Sequence, residues 1–136
     1  MMLKELMTRH VTPLRPEESV RDALLRMDAC GAGVLPVCED RRLVGLLERR
    51  RVEDRGGALP PRVAHRPVRE LMSSIAAVGR EEEDVRDALR TMRQQGMCTL
   101  PVVDRGGELV GMFSLGEQLD TRLRFDRGNR KARTGS

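Results

Sequence analysis

The chain has 136 residues, 25 Lys and Arg against 21 Asp and Glu, 39% hydrophobic residues, two Phe and neither Trp nor Tyr. That is the length of one ordinary domain. No apolar run approaches the roughly 20 residues of a membrane-spanning helix, and the opening Met-Met-Leu-Lys-Glu lacks the apolar stretch of a secretory signal, so a cytoplasmic protein with no membrane partner is expected. With only two aromatic rings there is no stacking platform of the kind single-stranded nucleic-acid binders use. The net charge of +4 is unevenly held: residues 121–136 carry six bases and one acid, and the rest of the chain 19 bases and 20 acids. Basicity is thus a property of the tail, and nucleic-acid binding is expected from that tail or not at all.

In chain order, Glu5-Leu6-Met7-Thr8 opens a lead-in segment. Ser19 is then the N-cap of a helix whose apolar face is Val20, Ala23, Leu24 and Met27, at i, i+3, i+4 and i+7, with Asp22 in its first turn. Gly31 ends that helix. A strand over Val34–Val37 follows, then the polar turn Glu39-Asp40-Arg41-Arg42, then a strand over Leu43–Leu47, then a polar-leading helix from Glu48 to about Asp54. Pro36 inside the first strand predicts an edge position or a bulge, because proline cannot donate to a ladder. Gly56-Gly57, Pro60-Pro61 and Pro67 mark a join.

After the join the same pattern returns. Glu70-Leu71-Met72-Ser73 repeats the lead-in at an offset of 65, and Val85-Arg86-Asp87-Ala88-Leu89 repeats residues 20–24 letter for letter behind the cap Asp84. Met92, Gly96 and Leu100-Pro101-Val102 keep that offset, whereas Leu109-Val110-Gly111 sits 66 residues after Leu43-Val44-Gly45. The extra residue therefore lies in the second turn, Asp104–Glu108. A last helix is expected from Ser114 to about Arg124. The division is residues 1–55 for the first repeat, 56–67 for a linker, 68–124 for the second repeat and 125–136 for a disordered basic tail. The fold class is α+β. Units of about 55 residues bury only about 60% of their unfolded surface, so the two copies are expected to pack together, sheet against sheet.

The three cysteines, Cys30, Cys38 and Cys98, are odd in number and lack C-x-x-C spacing. They read as structural thiols in a reducing compartment. A metal set of Cys30, Cys38 and a histidine has composition alone behind it, and no metal is expected. His10 and His65 lie outside the matched motifs, and no glycine pattern fits a nucleotide-binding loop, so no catalytic residues are assigned and the chain is not expected to be an enzyme.

The ordered set Leu6-Met7-Thr8, Val-x-x-Ala-Leu-x-x-Met, Gly31, Leu35-Pro36-Val37 and Leu-Val-Gly, written twice, resembles a cystathionine-β-synthase-type (CBS) domain over residues 3–54 and again over 68–122. The resemblance implies two β-α-β-β-α units packed as a pseudo-two-fold pair, often dimerised. It also implies a regulatory module that binds an adenosine-containing ligand (AMP, ADP, ATP or S-adenosylmethionine) in clefts between the repeats, with no obligatory cofactor. Ligand-binding members carry Ser or Thr after the second hairpin strand and, three residues later, an Asp that accepts from the ribose hydroxyls. Here Ser114 is matched and Glu117 replaces the Asp. In the first repeat the two positions hold Glu48 and Arg51, and a guanidinium accepts nothing.

The cleft favoured by similarity is therefore that of Thr12, Pro13, Ala32, Gly33, Cys98, Thr99, Met112, Ser114 and Glu117. Met112 and Ala32 would sandwich the base, Glu117 hold the ribose, and Ser114 contact phosphate. Ser114 and Glu117 also read as a plain N-cap with an acidic first turn. Arg49, Arg50 and Arg51 could face a polyphosphate or form a solvated run. Two functions stay open: a homodimeric sensor that alters its contacts with a regulated protein when ligand binds, and a ligand-free dimerisation or docking scaffold of the same fold.

Overall fold

The computed structural model describes residues 1–53 and 56–115. Its two long helices are α1 (Val20–Cys30) and α5 (Val85–Gln95), both started and stopped by the side chains expected of them. Ser19 accepts a hydrogen bond from the Asp22 amide at 3.1 Å, and Asp84 from the Arg86 amide at 2.8 Å. Gly31 and Gly96 close the helices in the left-handed region at φ 69° and 66°, where a β-carbon is penalised. Val20, Ala23, Leu24 and Met27 are all buried, as the periodicity predicts.

Each helix leads into a hairpin. In the first repeat β1 (Val34–Glu39) pairs antiparallel with β2 (Arg42–Glu48) through the two-residue turn Asp40-Arg41, both at positive φ. In the second, β4 (Thr99–Val103) pairs with β5 (Leu109–Ser114), and the one-residue-longer turn is organised by the Asp104 carboxylate accepting from the Gly106 and Glu108 amides at 2.9 and 3.0 Å. Both ladders slip by one residue at equivalent places, with Val44 and Val110 as the extra residues. Pro36 and Pro101 sit one position before those bulges.

The edge expectation holds for Pro36, whose β1 belongs to a two-stranded sheet, and fails for Pro101, because β4 is the middle strand of a three-stranded sheet whose parallel neighbour is β3 (Gly79–Arg80). Proline is tolerated there because that neighbour starts pairing only at Val102, the residue after Pro101. In the first repeat Leu14 takes the place of β3 as a single parallel bridge to Val37. The helix after β2 is one turn, α2 (Arg49–Val52), shorter than the sequence implied. The helix expected from Ser114 to about Arg124 lies, beyond Leu115, outside the described residues, as does the expected basic tail.

The lead-ins are exchanged between the repeats. Thr8 and Met112 bridge antiparallel, with amide-to-carbonyl distances of 2.8 and 2.9 Å, and Ser73 and Leu46 do the same at 2.8 and 3.0 Å. Leu3 and Met7 are buried in the core of the second repeat with Ala88, Met92, Leu100, Val102 and Phe113. Val68, from the short helix α4 (Val68–Leu71), is fully buried in the core of the first, with Val20, Met27, Val37 and Leu47. A single-turn helix α3 (Pro61–Ala64) in the join buries Ala64 and packs Val63 on that same core.

This exchange explains the glycine of each Leu-Val-Gly. A β-carbon at Gly111 would lie 2.8 Å from the Thr8 carbonyl oxygen and 2.8 Å from the Met7 sulfur, and one at Gly45 would lie 2.5 Å from the Met72 sulfur and 3.0 Å from the Ser73 carbonyl oxygen. The crossing strands need the space that a side chain would fill.

Candidate functional site

Two clefts, related by the repeat, open where the lead-ins cross. They share Gly33, Val34, Cys98 and Thr99, the residues that enter β1 and β4. Paired backbone bonds fix this shared floor: the Leu115 amide donates to the Cys98 carbonyl, and the equivalent Arg49 amide to the Gly33 carbonyl, both at 2.9 Å.

The first cleft, about 600 Å³, is lined by Thr12, Ala32, Gly33, Cys98, Thr99, Met112 and Ser114 from the sequence-derived set. A volume of that size suits a small-molecule ligand. Pro13 is not among the lining residues; its carbonyl, like that of Thr12, accepts from Arg26, and the next residue, Leu14, carries the chain into the sheet. Glu117 lies outside the described residues. The wall also includes Thr8, His10, Val11, Arg26, Ala29 and Cys30, which motif reading did not single out.

Arg26 is the informative omission. Its guanidinium meets both oxygens of Glu18 at 2.9 Å and donates to the carbonyls of Thr12 and Pro13 at 2.9 and 3.1 Å. Glu18 in turn accepts from the Arg15 amide at 2.7 Å. One fork thus ties the cleft wall to α1. The second repeat keeps the equivalent carboxylate, with Glu83 accepting from the Arg80 amide at 3.2 Å, but holds Thr91 where Arg26 would be. The signal that finds Arg26 in sequence is this break in an otherwise faithful repeat.

The second cleft, about 680 Å³, has Ser73, Ser74 and Ala76 on one side and Glu48, Arg49, Arg50 and Arg51 on the other. Its cations are engaged. Arg49 pairs with Glu53 at 2.6 Å and with Asp28, and donates to the Leu24 carbonyl at 3.2 Å. Partial burial lowers the Arg49 pKa, but the Glu53 carboxylate, then Asp28, outweigh it and leave the group above its ordinary value. Arg51 Nε sits 3.0 Å from Glu48 Oε1 as an ion pair, and this buried oxygen has no hydrogen-bond donor among the described residues. The arginines answer the carboxylates of their own wall.

The cysteine expectation holds for one residue of three. Cys38, in β1, is buried, and desolvation pushes its thiol up to about 11. Cys30 and Cys98 are exposed because they stand at the helix end and strand entry that form the cleft rim. Among the described residues no group of three or more His, Cys, Asp or Glu could hold a metal, and no helix is long and apolar enough to cross a membrane.

The family model of the CBS domain matches this chain twice, over residues 3–54 and 68–117. The chain belongs to the CBS domain family. It is similar to the CBS domain-containing protein YhcV of Bacillus subtilis, 32% identical over 115 residues that cover 85% of this chain and 81% of that one. Among solved structures it is similar to CBSX2 in complex with AMP, with a TM-score of 0.73, 26% identity and coverage of 93% of this chain and 98% of that one. It is also similar to the cytosolic domain of the Mg2+ channel MgtE in complex with ATP, with a TM-score of 0.70, 26% identity and coverage of 88% and 48%. The chain is thus an α+β protein of two CBS repeats, the repeats matched by the family model and the fold shared with the structural neighbours.

Proposed function

We propose that this CBS pair is a non-catalytic regulatory module that binds an adenosine-containing ligand in the Thr12 cleft and signals through changed contacts with a partner protein. The observation that carries the reading is the convergence of Thr12, Ala32, Gly33, Cys98, Thr99, Met112 and Ser114, drawn from both repeats, on one cleft of about 600 Å³. The AMP-bound and ATP-bound relatives support the ligand class. In this reading Met112 and Ala32 face the base, Ser114 the phosphate, and Glu117, by sequence position, the ribose. Because the wall belongs to both repeats, a bound ligand stabilises their mutual arrangement, and that differential affinity is what a regulatory signal requires. The functional unit is proposed to be a homodimer in the cytoplasm.

The test is thermal unfolding of the full chain with AMP, ADP, ATP and S-adenosylmethionine, beside Glu117→Ala. A ligand at about 100 times its Kd adds about 2.7 kcal/mol, a rise in Tm of roughly 10 °C for this size. A rise with the wild type that Glu117→Ala loses supports the reading. No rise with any of the four supports the other one, a ligand-free scaffold. The self-paired Glu48–Arg51 wall favours that second reading for the other cleft.

A further inference from the structure

Two of the three thiols stand on the rim of one cleft. Cys30, the last residue of α1, comes from the first repeat, and Cys98, immediately before β4, from the second. Both are exposed. Cys30 Sγ makes a long contact of 3.8 Å to the Met27 carbonyl. In the other cleft the position equivalent to Cys30 is Gln95, so Cys98 is its single rim thiol. Cys38 supplies an internal control, being buried in the hydrophobic core of the first repeat.

We propose that Cys30 and Cys98 form a thiol-modification site in which a low-molecular-weight disulfide, such as glutathione disulfide, adds across the Thr12 cleft and excludes its ligand. In the reaction the cysteine thiolate attacks one sulfur of the disulfide; a protein–glutathione S–S bond forms, the glutathione S–S bond breaks, and one glutathione thiolate leaves for each cysteine modified. A tripeptide attached at either rim position occupies the space a nucleotide needs. Cys98 borders both clefts, so its adduct crowds the second as well. The exclusion half of the proposal rests on the adenosine reading above; the modification half does not.

The test treats the full reduced chain with glutathione disulfide, counts and maps adducts by mass spectrometry, and measures AMP affinity before treatment, after it and after dithiothreitol. The expected result is two adducts, on Cys30 and Cys98, formed more slowly when AMP is bound. AMP affinity should fall at least tenfold and return on reduction, and glutathione disulfide should leave the AMP affinity of a Cys30→Ser/Cys98→Ser chain at that chain's own untreated value. Absence of adducts on the native chain, modification of Cys38 as fast as the other two, or an unchanged AMP affinity of the doubly modified protein would overturn the proposal. A reduced chain that binds no AMP removes the adenosine reading for that nucleotide and the exclusion half with it, while adducts confined to Cys30 and Cys98 still uphold the modification site.

Discussion

The two clefts are built from equivalent residues of a 65-residue repeat, yet they are walled differently. In the Thr12 cleft the basic residue, Arg26, spends its guanidinium on Glu18 and two backbone carbonyls, and so fixes the wall without placing unpaired charge in the opening. In the Arg51 cleft the basic residues answer Glu48, Glu53 and Asp28, and the wall is an ion-pair network. A preorganised wall costs a ligand little ordering. A ligand entering the other cleft must compete with contacts the wall already makes. Duplication thus yields one cleft whose basic residue is tied into its wall and one whose basic residues pair with neighbouring carboxylates.

The largest expected effect comes from the glycines under the crossing strands. Gly111→Ala should destabilise the chain by about 2 kcal/mol, because its β-carbon meets the Thr8 carbonyl, which is backbone and bonded to Met112. Gly45→Ala should cost less, since the tightest contacts there are with the flexible Met72 side chain. Chemical denaturation of both measures the difference, and AMP titration should find the ligand weakened in the Gly111 variant alone. Equal losses would show that the two crossings are interchangeable.

Next is the fork. Arg26→Met should lower AMP affinity about tenfold, or about 1.4 kcal/mol, and speed amide exchange around Thr12 in the ligand-free chain. Thr91→Met should do neither. Amide exchange is read without ligand, so the positioning role of Arg26 is checked apart from the nucleotide.

The helix caps give a smaller contrast. Ser19→Ala should cost about 1 kcal/mol independently of acid pH. Asp84 differs: the Arg86 side chain, then the Arg86 amide, hold its carboxyl below the ordinary 3.8. A group depressed in the folded state stabilises fully above its unfolded pKa and loses that contribution as pH falls through the folded value. Stability should therefore decline below about pH 4 partly through Asp84, and Asp84→Ser should flatten that decline in acid unfolding curves.

Much of this was legible in the sequence. The faithful recurrence of Val-Arg-Asp-Ala-Leu, the caps Ser19 and Asp84, and the left-handed Gly31 and Gly96 are local features, and local patterns specify them. The extra residue in the second turn was also readable, because register had to be restored at Leu-Val-Gly. Whose core Leu3 and Val68 enter was not, since apolar periodicity says that a residue is buried and never against which partner. For the same reason a free cysteine reads as buried until the ends of α1 and the entry to β4 are brought to one rim. Pro13 entered the expected cleft set by family resemblance, which carries no information on how this chain turns between Thr12 and Leu14.

The central claim is that the Thr12 cleft takes the adenosine ligand and the Arg51 cleft does not. Calorimetric titration of AMP into the full chain, beside Thr12→Trp and Ala76→Trp, tests it directly, because each bulky side chain fills one cleft. The expected result is one AMP per chain, abolished by Thr12→Trp and retained by Ala76→Trp. Two equivalent sites, or a single site lost in Ala76→Trp and kept in Thr12→Trp, would contradict it.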